Sequence, residues 1–519
     1  MSHDFAYDKV RYPAQVYPKL HPSRIGAIAR LHGVQAASPR ACRLLEVGCG
    51  DGLTLLTLAM AYPDSRFIGV DLSSSAIARG NAMRTKLGLD NLSLQAVDLL
   101  TWDPGDELFD YVIAHGFYSW VPTVVRERLL ALCNKMMAPD AIACISYNAL
   151  PGCHMRRMLW DMLKFHAGSI EDPATRVDSA QEFLQLLKSG LPEGSLYATT
   201  MAGEIDELSE RLDPSVLFHD DLADINDPFT LDQFLTRARA HGLNFVAEAN
   251  YHEMSTRNAH ERVRPLLDDI ARDDLATKEQ YLDFFTGRRF RQTILCRREA
   301  SPSAAQDPAA IVSLQLASAL QPDEGGADAE GRLRFSLASS GGVVTDNTIV
   351  QAMLRTCADA YPSPLSVQAL FDAVSGDFED AEARAAGLDM ACRFIARAFA
   401  VGIIELHWDA PPFANHAGLR PLASPLARLQ AERGESRVTS LRPSMVDMDI
   451  ATRCLLLALD GKRDRMAIAT YIAAELAQVR SDSEGSQASE APTIDELERY
   501  LEQNLRNMAR LGLLVDGDN

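Results

Sequence analysis

The stretch that most constrains this chain is Leu44 to Gly52, LLEVGCGDG, an apolar run that breaks into three glycines and is answered downstream by Val70-Asp71. Residues 43–47 suit a strand buried in a parallel sheet, and glycine then lets the backbone turn sharply and approach a ligand. Residues 53–61 are apolar enough for the following helix. Residues 67–70 read as the next strand, ending in an acid whose carboxylate can accept two ribose hydroxyls. This is a βαβ nucleotide unit. A glycine turn alone would serve NAD or FAD equally well. Glu46, two residues before the first glycine, narrows the choice, because a carboxylate there can receive an α-ammonium group, which S-adenosylmethionine has and NAD lacks.

Taken together, Glu46, Gly48, Gly50, Gly52 and Asp71 resemble motifs I and II of the class I methyltransferases. The resemblance implies an α/β fold with a Rossmann-like seven-stranded sheet and S-adenosyl-L-methionine as cofactor. Leu72 follows the acid directly and joins the expected cofactor contacts. Serines 73–75 make an N-cap for a helix running to about Leu87, stopped by Gly88, and 92–97 is the third strand. Asp98 comes next, where class I enzymes commonly hold an acid near the adenine. The fourth strand, 109–114, ends in HGFYSWVP (115–122), and ligands of open α/β sheets lie beyond such carboxyl ends. A helix over 124–137 leads to the fifth strand, 141–147, and a second tip, SYNALPG (146–152). His115 is expected at the cofactor. Tyr118 and Tyr147 are expected to orient a substrate amine, with Trp120 as a wall and Asn148 as a carbonyl acceptor. Upstream, residues 1–42 are rich in Tyr, Pro and His and read as an extended arm with a helix over 24–31. Tyr17 and His21 on that arm are expected to cover the cofactor.

Beyond the second tip the alternation of strand and helix stops. Some eighty residues of helical pattern follow, including an acidic turn at His219-Asp220-Asp221, before the strands 244–249 and 290–296 close the sheet. The expected organisation is an arm (1–42), a cofactor-binding core (43–154), an inserted helical regulatory or lid region (155–228), the remainder of the core (229–298), a linker rich in Ser, Pro, Ala, Asp and Gly (299–332) and a mostly helical C-terminal region (333–519). Within the last, AFAVGIIE (398–405) matches NMARLGLLV (507–515), each a helix ending at a glycine and running into a short apolar strand. The pattern suggests winged-helix-like modules, with a capping box at Thr493 and Glu496 and a disordered loop at 481–492.

HGFYSWVP, SYNALPGCH, FHDDLADINDP and FRQTILC are similar to sequences of bacterial methyltransferases that carry a methyltransferase regulatory domain, the group that includes the rickettsial lysine methyltransferases of outer membrane proteins. The resemblance implies protein-lysine N-methylation of a lysine-containing polypeptide. A small-metabolite methyltransferase and a non-catalytic S-adenosylmethionine-binding interaction protein remain the alternatives. With 519 residues and 47% hydrophobic composition the chain can bury a large core, in about two to four domains. A formal charge of −20 argues against nonspecific binding to nucleic acid or an anionic membrane and suits a cationic partner. The C-terminal modules lack the basic footprint of a DNA reader, which favours protein recognition or homodimer contact. Nine scattered cysteines without a CxxC pair are expected to be free thiols in a reducing cytoplasm. No signal peptide or membrane span is apparent, and no cluster has zinc spacing, so no metal is expected.

Overall fold

The computed structural model describes residues 6–210, 213–338, 341–376, 378–409, 414–482 and 494–515. Its centre is a seven-stranded sheet in the order β3-β2-β1-β4-β5-β7-β6. The strands are β1 (Arg43–Val47), β2 (Arg66–Asp71), β3 (Leu92–Ala96), β4 (Phe109–Ala114), β5 (Met137–Asn148), β6 (Leu243–Glu248) and β7 (Phe290–Arg297). The first five pair in parallel, and β7 runs antiparallel between β5 and β6. Helices on both faces leave β1 no solvent side past Arg43, hence the apolar Leu44, Leu45 and Val47 around a buried Glu46. Leu44 packs into one cluster and Leu45 into the other, as the two-residue period of a strand requires. Between the strands run α3 (Leu53–Ala61), α4 (Ser74–Leu87) and α5 (Thr123–Met136), preceded in the arm by α1 (Ala6–Lys9) and α2 (Pro22–Leu31). The sheet edge that carries the strand ends at 47, 71, 114 and 148 is therefore built entirely by the sequence read above.

The insertion after β5 consists of α6 (Cys153–Ala167), α7 (Pro173–Gly190), α8 (Leu196–Glu210), α9 (Pro214–Val216) and a π-helical turn, Leu217–Asp221. Leu159, Leu163, Ala180, Met201 and Ile205 form a small core of its own, against which Val10 of the arm packs. Then comes α10 (Leu231–Ala240), held at its start by a capping box between Thr230 and Gln233. Two helices that sequence reading did not resolve, α11 (Arg264–Asp273) and α12 (Leu275–Thr286), fill the connection between β6 and β7. A buried ion cluster fixes α12 to the sheet: the Arg291 guanidinium donates twice to Asp283 at 2.8 Å and also to Glu248, while Glu279 takes Lys278 at 2.6 Å and Arg288 at 3.0 Å.

The expected linker does not hold over 308–322. A 3-10 turn at Pro308–Ser313 and the strands β8 (Gln315–Ala317) and β9 (Gln321–Pro322) are packed, with Ile311, Leu314, Leu316 and Leu320 buried in the same cluster as Leu44. The small residues that suggested a linker interleave with these apolar ones and mask their pattern. Next come β10 (Leu333–Ser336), β11 (Gly342–Thr345), α13 (Thr348–Ala360), β12 (Leu365–Ser366), α14 (Val367–Val374), α15 (Ala381–Ala400) and β13 (Glu405–His407). β8 pairs with both β12 and β13, and the three helices complete a first winged-helix-like unit that shares its core with the sheet domain. The second unit has β14 (Leu422–Ala423), α16 (Pro425–Glu432), β15 (Arg437–Thr439), β16 (Met445–Asp447), α17 (Ile450–Ala458), α18 (Arg465–Asp482), α19 (Ile494–Arg510) and β17 (Leu514–Val515), around a separate core. The repeat seen in the sequence is real in the backbone: Gly402 ends α15 at φ 75° before β13, and Gly512 ends α19 at φ 68° before β17. Thr493 and residues 483–492 of the anticipated loop lie outside the described residues.

Candidate active site

At the carboxyl edge of the sheet lies a cavity of about 710 Å³. Its floor is the turn after β1. Gly48, Gly50 and Gly52 have φ of 74°, 57° and 73°, values that side-chain-bearing residues rarely adopt. A Cβ at Gly48 would also stand 2.7 Å from the ring of Phe117, so glycine is required there twice over. The turn is locked to β2, since Gly48 N–H donates to the Val70 carbonyl at 2.8 Å and Gly50 N–H to Asp71 Oδ2 at 2.8 Å. Asp71 Oδ1 accepts Ser73 N–H at 2.8 Å. Each carboxylate oxygen thus spends one lone pair on the backbone and keeps capacity for a ligand hydroxyl. Burial raises the pKa of Asp71, against the pull of these two N–H groups.

Glu46 sits at the back of this floor, 8% exposed, and its Oε2 has no hydrogen-bond partner. Burial, with the charges of Asp71 and Asp51, pushes its pKa up to about 8. An orphaned buried carboxyl inside a cavity asks for a cationic donor. The α-ammonium of S-adenosylmethionine meets that demand, and the cradle of glycines and Asp71 fits the remainder of such a molecule. Asp98 and Leu72 also line the cavity, and Leu72 is 52% exposed.

The opposite wall holds His115, Tyr17, Phe290, Trp120 and Asn148. The Tyr17 and His115 rings lie 3.9 Å apart, and Phe290 meets His115 edge-on at 5.6 Å. Burial lowers the His115 pKa to about 4, so the imidazole is neutral, with Nδ1 unpartnered. The Tyr17 hydroxyl is raised to about 12 by burial and by the charges of Asp220 and Glu46. Asn148 donates its amide N–H to Asn226 at 2.8 Å, which leaves its carbonyl oxygen as the available polar atom.

Three expected residues are not in the cavity. Tyr118 and Tyr147 are buried in the core under the sheet: Tyr147 stacks on Phe234 at 4.3 Å and bonds Thr293 at 3.2 Å, and Tyr118 packs edge-on against Phe229 and Phe234. The short 3-10 turn Tyr118–Trp120 explains the split, because it sends Trp120 to the cavity and Tyr118 the other way. For Tyr147 the strand period decides, placing it opposite to Asn148. His21 caps α2, accepting Ser23 N–H on Nδ1 at 3.1 Å, and does not line the cavity.

Other groups had no local sequence signal. The arm docks through Asp8, which accepts the hydroxyls of Ser73 and Ser75 at 2.6 Å, and through Arg11, 3.7 Å from Asp51. The π-helical turn reaches both arm and cavity: His219 Nε2 bonds the Val10 carbonyl at 2.8 Å, and Asp221 takes Arg156 at 3.0 Å and Trp160 Nε1 at 2.8 Å. Only the consecutive acids at 220–221 hinted at this. Among the described residues no group of three His, Cys, Asp or Glu could hold a metal ion.

Three family models match the chain: a methyltransferase domain over residues 44–140, a predicted methyltransferase regulatory domain over 213–297, and the C-terminal winged helix domain of PKMT over 420–513. The regulatory match spans the π-helical turn, α10 to α12 and the last two strands of the sheet. Protein RP028 of Rickettsia prowazekii (strain Madrid E) is 32% identical over 235 residues, 45% of this chain and 94% of that protein. RP789 of the same organism is 28% identical over 474 residues, 89% of this chain and 84% of that protein. The solved structure of PKMT2 from Rickettsia typhi in complex with AdoHcy shares the fold with a TM-score of 0.83 at 24% identity, covering 97% of this chain and 100% of that one.

Proposed function

The chain belongs to the family of S-adenosylmethionine-dependent class I methyltransferases that carry a methyltransferase regulatory domain and a PKMT-type winged helix, and from that premise we propose that it N-methylates lysine side chains of a polypeptide. The observation that carries the choice of substrate is the winged-helix match, a module named for protein-lysine methyltransferases, on a chain whose cofactor floor is intact.

In this reading Glu46 holds the α-ammonium, Gly48, Gly50 and Gly52 admit the cofactor against the backbone, and Asp71, Leu72 and Asp98 take the nucleoside. When bound, S-adenosylmethionine supplies an electrophilic methyl carbon on a sulfonium. What remains for the protein is alignment and desolvation of the nucleophile. A lysine ammonium must first lose its proton, from a pKa near 10.4. His115, lowered to about 4 by burial, is too weak a base to take it and stays neutral in the wall. The Asn148 carbonyl oxygen orients the amine, while Trp120, Tyr17, His115 and Phe290 wall off water and so favour the uncharged form. The uncharged amine is thereby held with its lone pair free for the methyl carbon that the bound cofactor would supply, and the proton leaves through solvent. The nine cysteines, all free thiols, suit a cytoplasmic site of action.

The test is transfer of labelled methyl from S-adenosylmethionine to a size-fractionated extract of the source cell, with Asp71→Ala as control. Label recovered as methyl-lysine from protein fractions is the expected result. Label only in small molecules would replace this reading with a metabolite substrate, and cofactor binding without transfer would replace it with an interaction protein.

A further inference from the structure

Helix α12 presents two unlike faces. Lys278, Glu279, Leu282 and Asp283 are buried, the three charged ones within the ion cluster that also holds Arg288 and Arg291. The other face shows Tyr281, Phe284 and Phe285 at 41%, 54% and 47% exposure. Positions i, i+3 and i+4 lie side by side on a helix, and the Tyr281 and Phe284 rings meet edge-on at 6.0 Å. Turning the helix to hide these rings would pull three charges out of their buried pairs. The ion cluster therefore holds the aromatic face outward.

The C-terminal end of this face adjoins the wall of the active site. Gly287 ends α12 in the left-handed conformation, and its carbonyl, with that of Arg288, packs on Gly152 so tightly that a Cβ there would stand 2.2 Å and 2.4 Å from the two oxygens. Cys153 Sγ then lies 3.1 Å from the Arg289 carbonyl. Cys153, Arg289 and Phe290 all line the cavity, and Phe290 is itself 37% exposed. Phe290 at the cavity wall and the exposed Phe285, Phe284 and Tyr281 of α12 thus make an aromatic strip along the chain, joined through Gly287 and Arg288, whose carbonyls pack on Gly152.

We propose that this strip docks the substrate polypeptide, taking apolar side chains that flank the modified lysine. The proposal rests on the polypeptide reading above. The occupant follows from continuity: whatever backbone delivers a lysine past Phe290 must leave the cavity across an adjoining surface, and large exposed aromatics gain from covering apolar atoms. The selected positions are those that flank the lysine on the side where the polypeptide leaves past Phe290. The lysine is then chosen by its neighbours rather than by its amine alone, and a polar-flanked lysine is a poor substrate.

The test uses the full chain loaded with AdoHcy and two synthetic peptides of about 15 residues, each with one central lysine and equal charge. One carries leucines around the lysine and the other serines. Anisotropy of labelled peptide gives affinity, and separate assays with labelled S-adenosylmethionine give transfer. The wild type is expected to prefer the leucine peptide by roughly tenfold, the gain from burying one or two side chains, and Phe284→Ser/Phe285→Ser to lose that preference with AdoHcy affinity unchanged. A preference that persists in the double variant, or is missing from the wild type, overturns the docking strip. So does a change of oligomeric state in the variant by sedimentation, which would assign the face to a second copy. Transfer to both peptides without preference overturns the strip alone, whereas no transfer to any polypeptide overturns the reading beneath it as well.

Discussion

Burial and two neighbouring carboxylates leave Glu46 protonated at neutral pH, with its pKa pushed up to about 8. Because the folded value lies above the ordinary 4.5, the ligand-free protein loses stability through this group as pH rises from 4.5 to 8. An α-ammonium against the carboxyl restores the ionised form. Binding of S-adenosylmethionine at pH 7 should therefore release close to one proton, measured as the dependence of calorimetric heat on buffer ionisation enthalpy. Glu46→Gln should abolish that release, and a wild type without buffer dependence would remove Glu46 from the cofactor. At Asp71, substitution by Ala should weaken cofactor binding by about 1 to 3 kcal/mol, the range for hydrogen bonds to a charged group, with unchanged affinity counting against the ribose assignment. Tyr118 bears on how much of the site the sequence shows. Its position in HGFYSWVP places it at a strand tip, and the tip does border the cavity, but facing is set by a 3-10 turn that the residue pattern does not encode. Its buried hydroxyl has no hydrogen-bond partner. Tyr118→Phe should accordingly leave turnover unchanged and keep or slightly raise the melting temperature, since an unmet polar atom is removed. A clear drop in turnover would return Tyr118 to the chemistry.

Strands announced themselves along the chain because each is a short apolar run with a turn signal behind it, and the sheet order follows from the alternation of strand and helix as far as β5. Helices α11 and α12 were hidden for a physical reason. Three of the four buried residues of α12, Lys278, Glu279 and Asp283, read as surface residues, while its outward face is aromatic and reads as core. Charge pairing inverted the usual pattern, and only the partner side chains on β6 and β7 reveal it. Within that cluster Glu279 is held down to about 2: burial pulls its pKa upward, and Lys278, Arg288 and Arg291 overcome it. Its contribution to stability is present above the ordinary 4.5 and is lost as pH falls toward 2. Arg291 is fully buried and serves two elements at once, Asp283 on α12 and Glu248 on β6. Arg291→Met should cost about 3 to 5 kcal/mol in urea unfolding, because the carboxylates of Glu248, Glu279 and Asp283 lose a shared cation while remaining buried. A loss below about 1 kcal/mol would mean that water replaces the guanidinium and that the cluster does not fix α12.

At the scale of the whole molecule, one carboxylate joins three parts of the chain that the sequence presents as separate. Glu405 on β13 accepts Arg24 of α2 at 3.0 Å and Arg442, from the β15–β16 connection of the second winged-helix unit, at 3.0 Å. Arg442 also donates to the Tyr361 hydroxyl at 2.8 Å. Nearby, Trp408 N–H donates to the Ser23 carbonyl at 2.8 Å and Arg30 lies over the Trp408 ring at 3.8 Å, so α2 is gripped along its length. That helix follows Tyr17 in the arm, which ties the cofactor wall to the C-terminal region. Although burial alone would raise the Glu405 pKa, the charge of Arg24, the His407 contact and the charge of Arg442 hold it well below the ordinary carboxylate range. The junction is therefore intact at neutral pH and loosens only as pH drops below the ordinary 4.5. Removing the carboxylate leaves two guanidinium groups facing each other across a partly buried seam, which favours separation of the second unit, whose core is distinct from that of the sheet. Glu405→Ala should thus split a single calorimetric unfolding transition into two, with the lower one assigned to residues 414–515 by its loss of hydrogen-exchange protection. A single transition in the variant at neutral pH would show that the apolar contacts around α2 bind the units without the ionic junction.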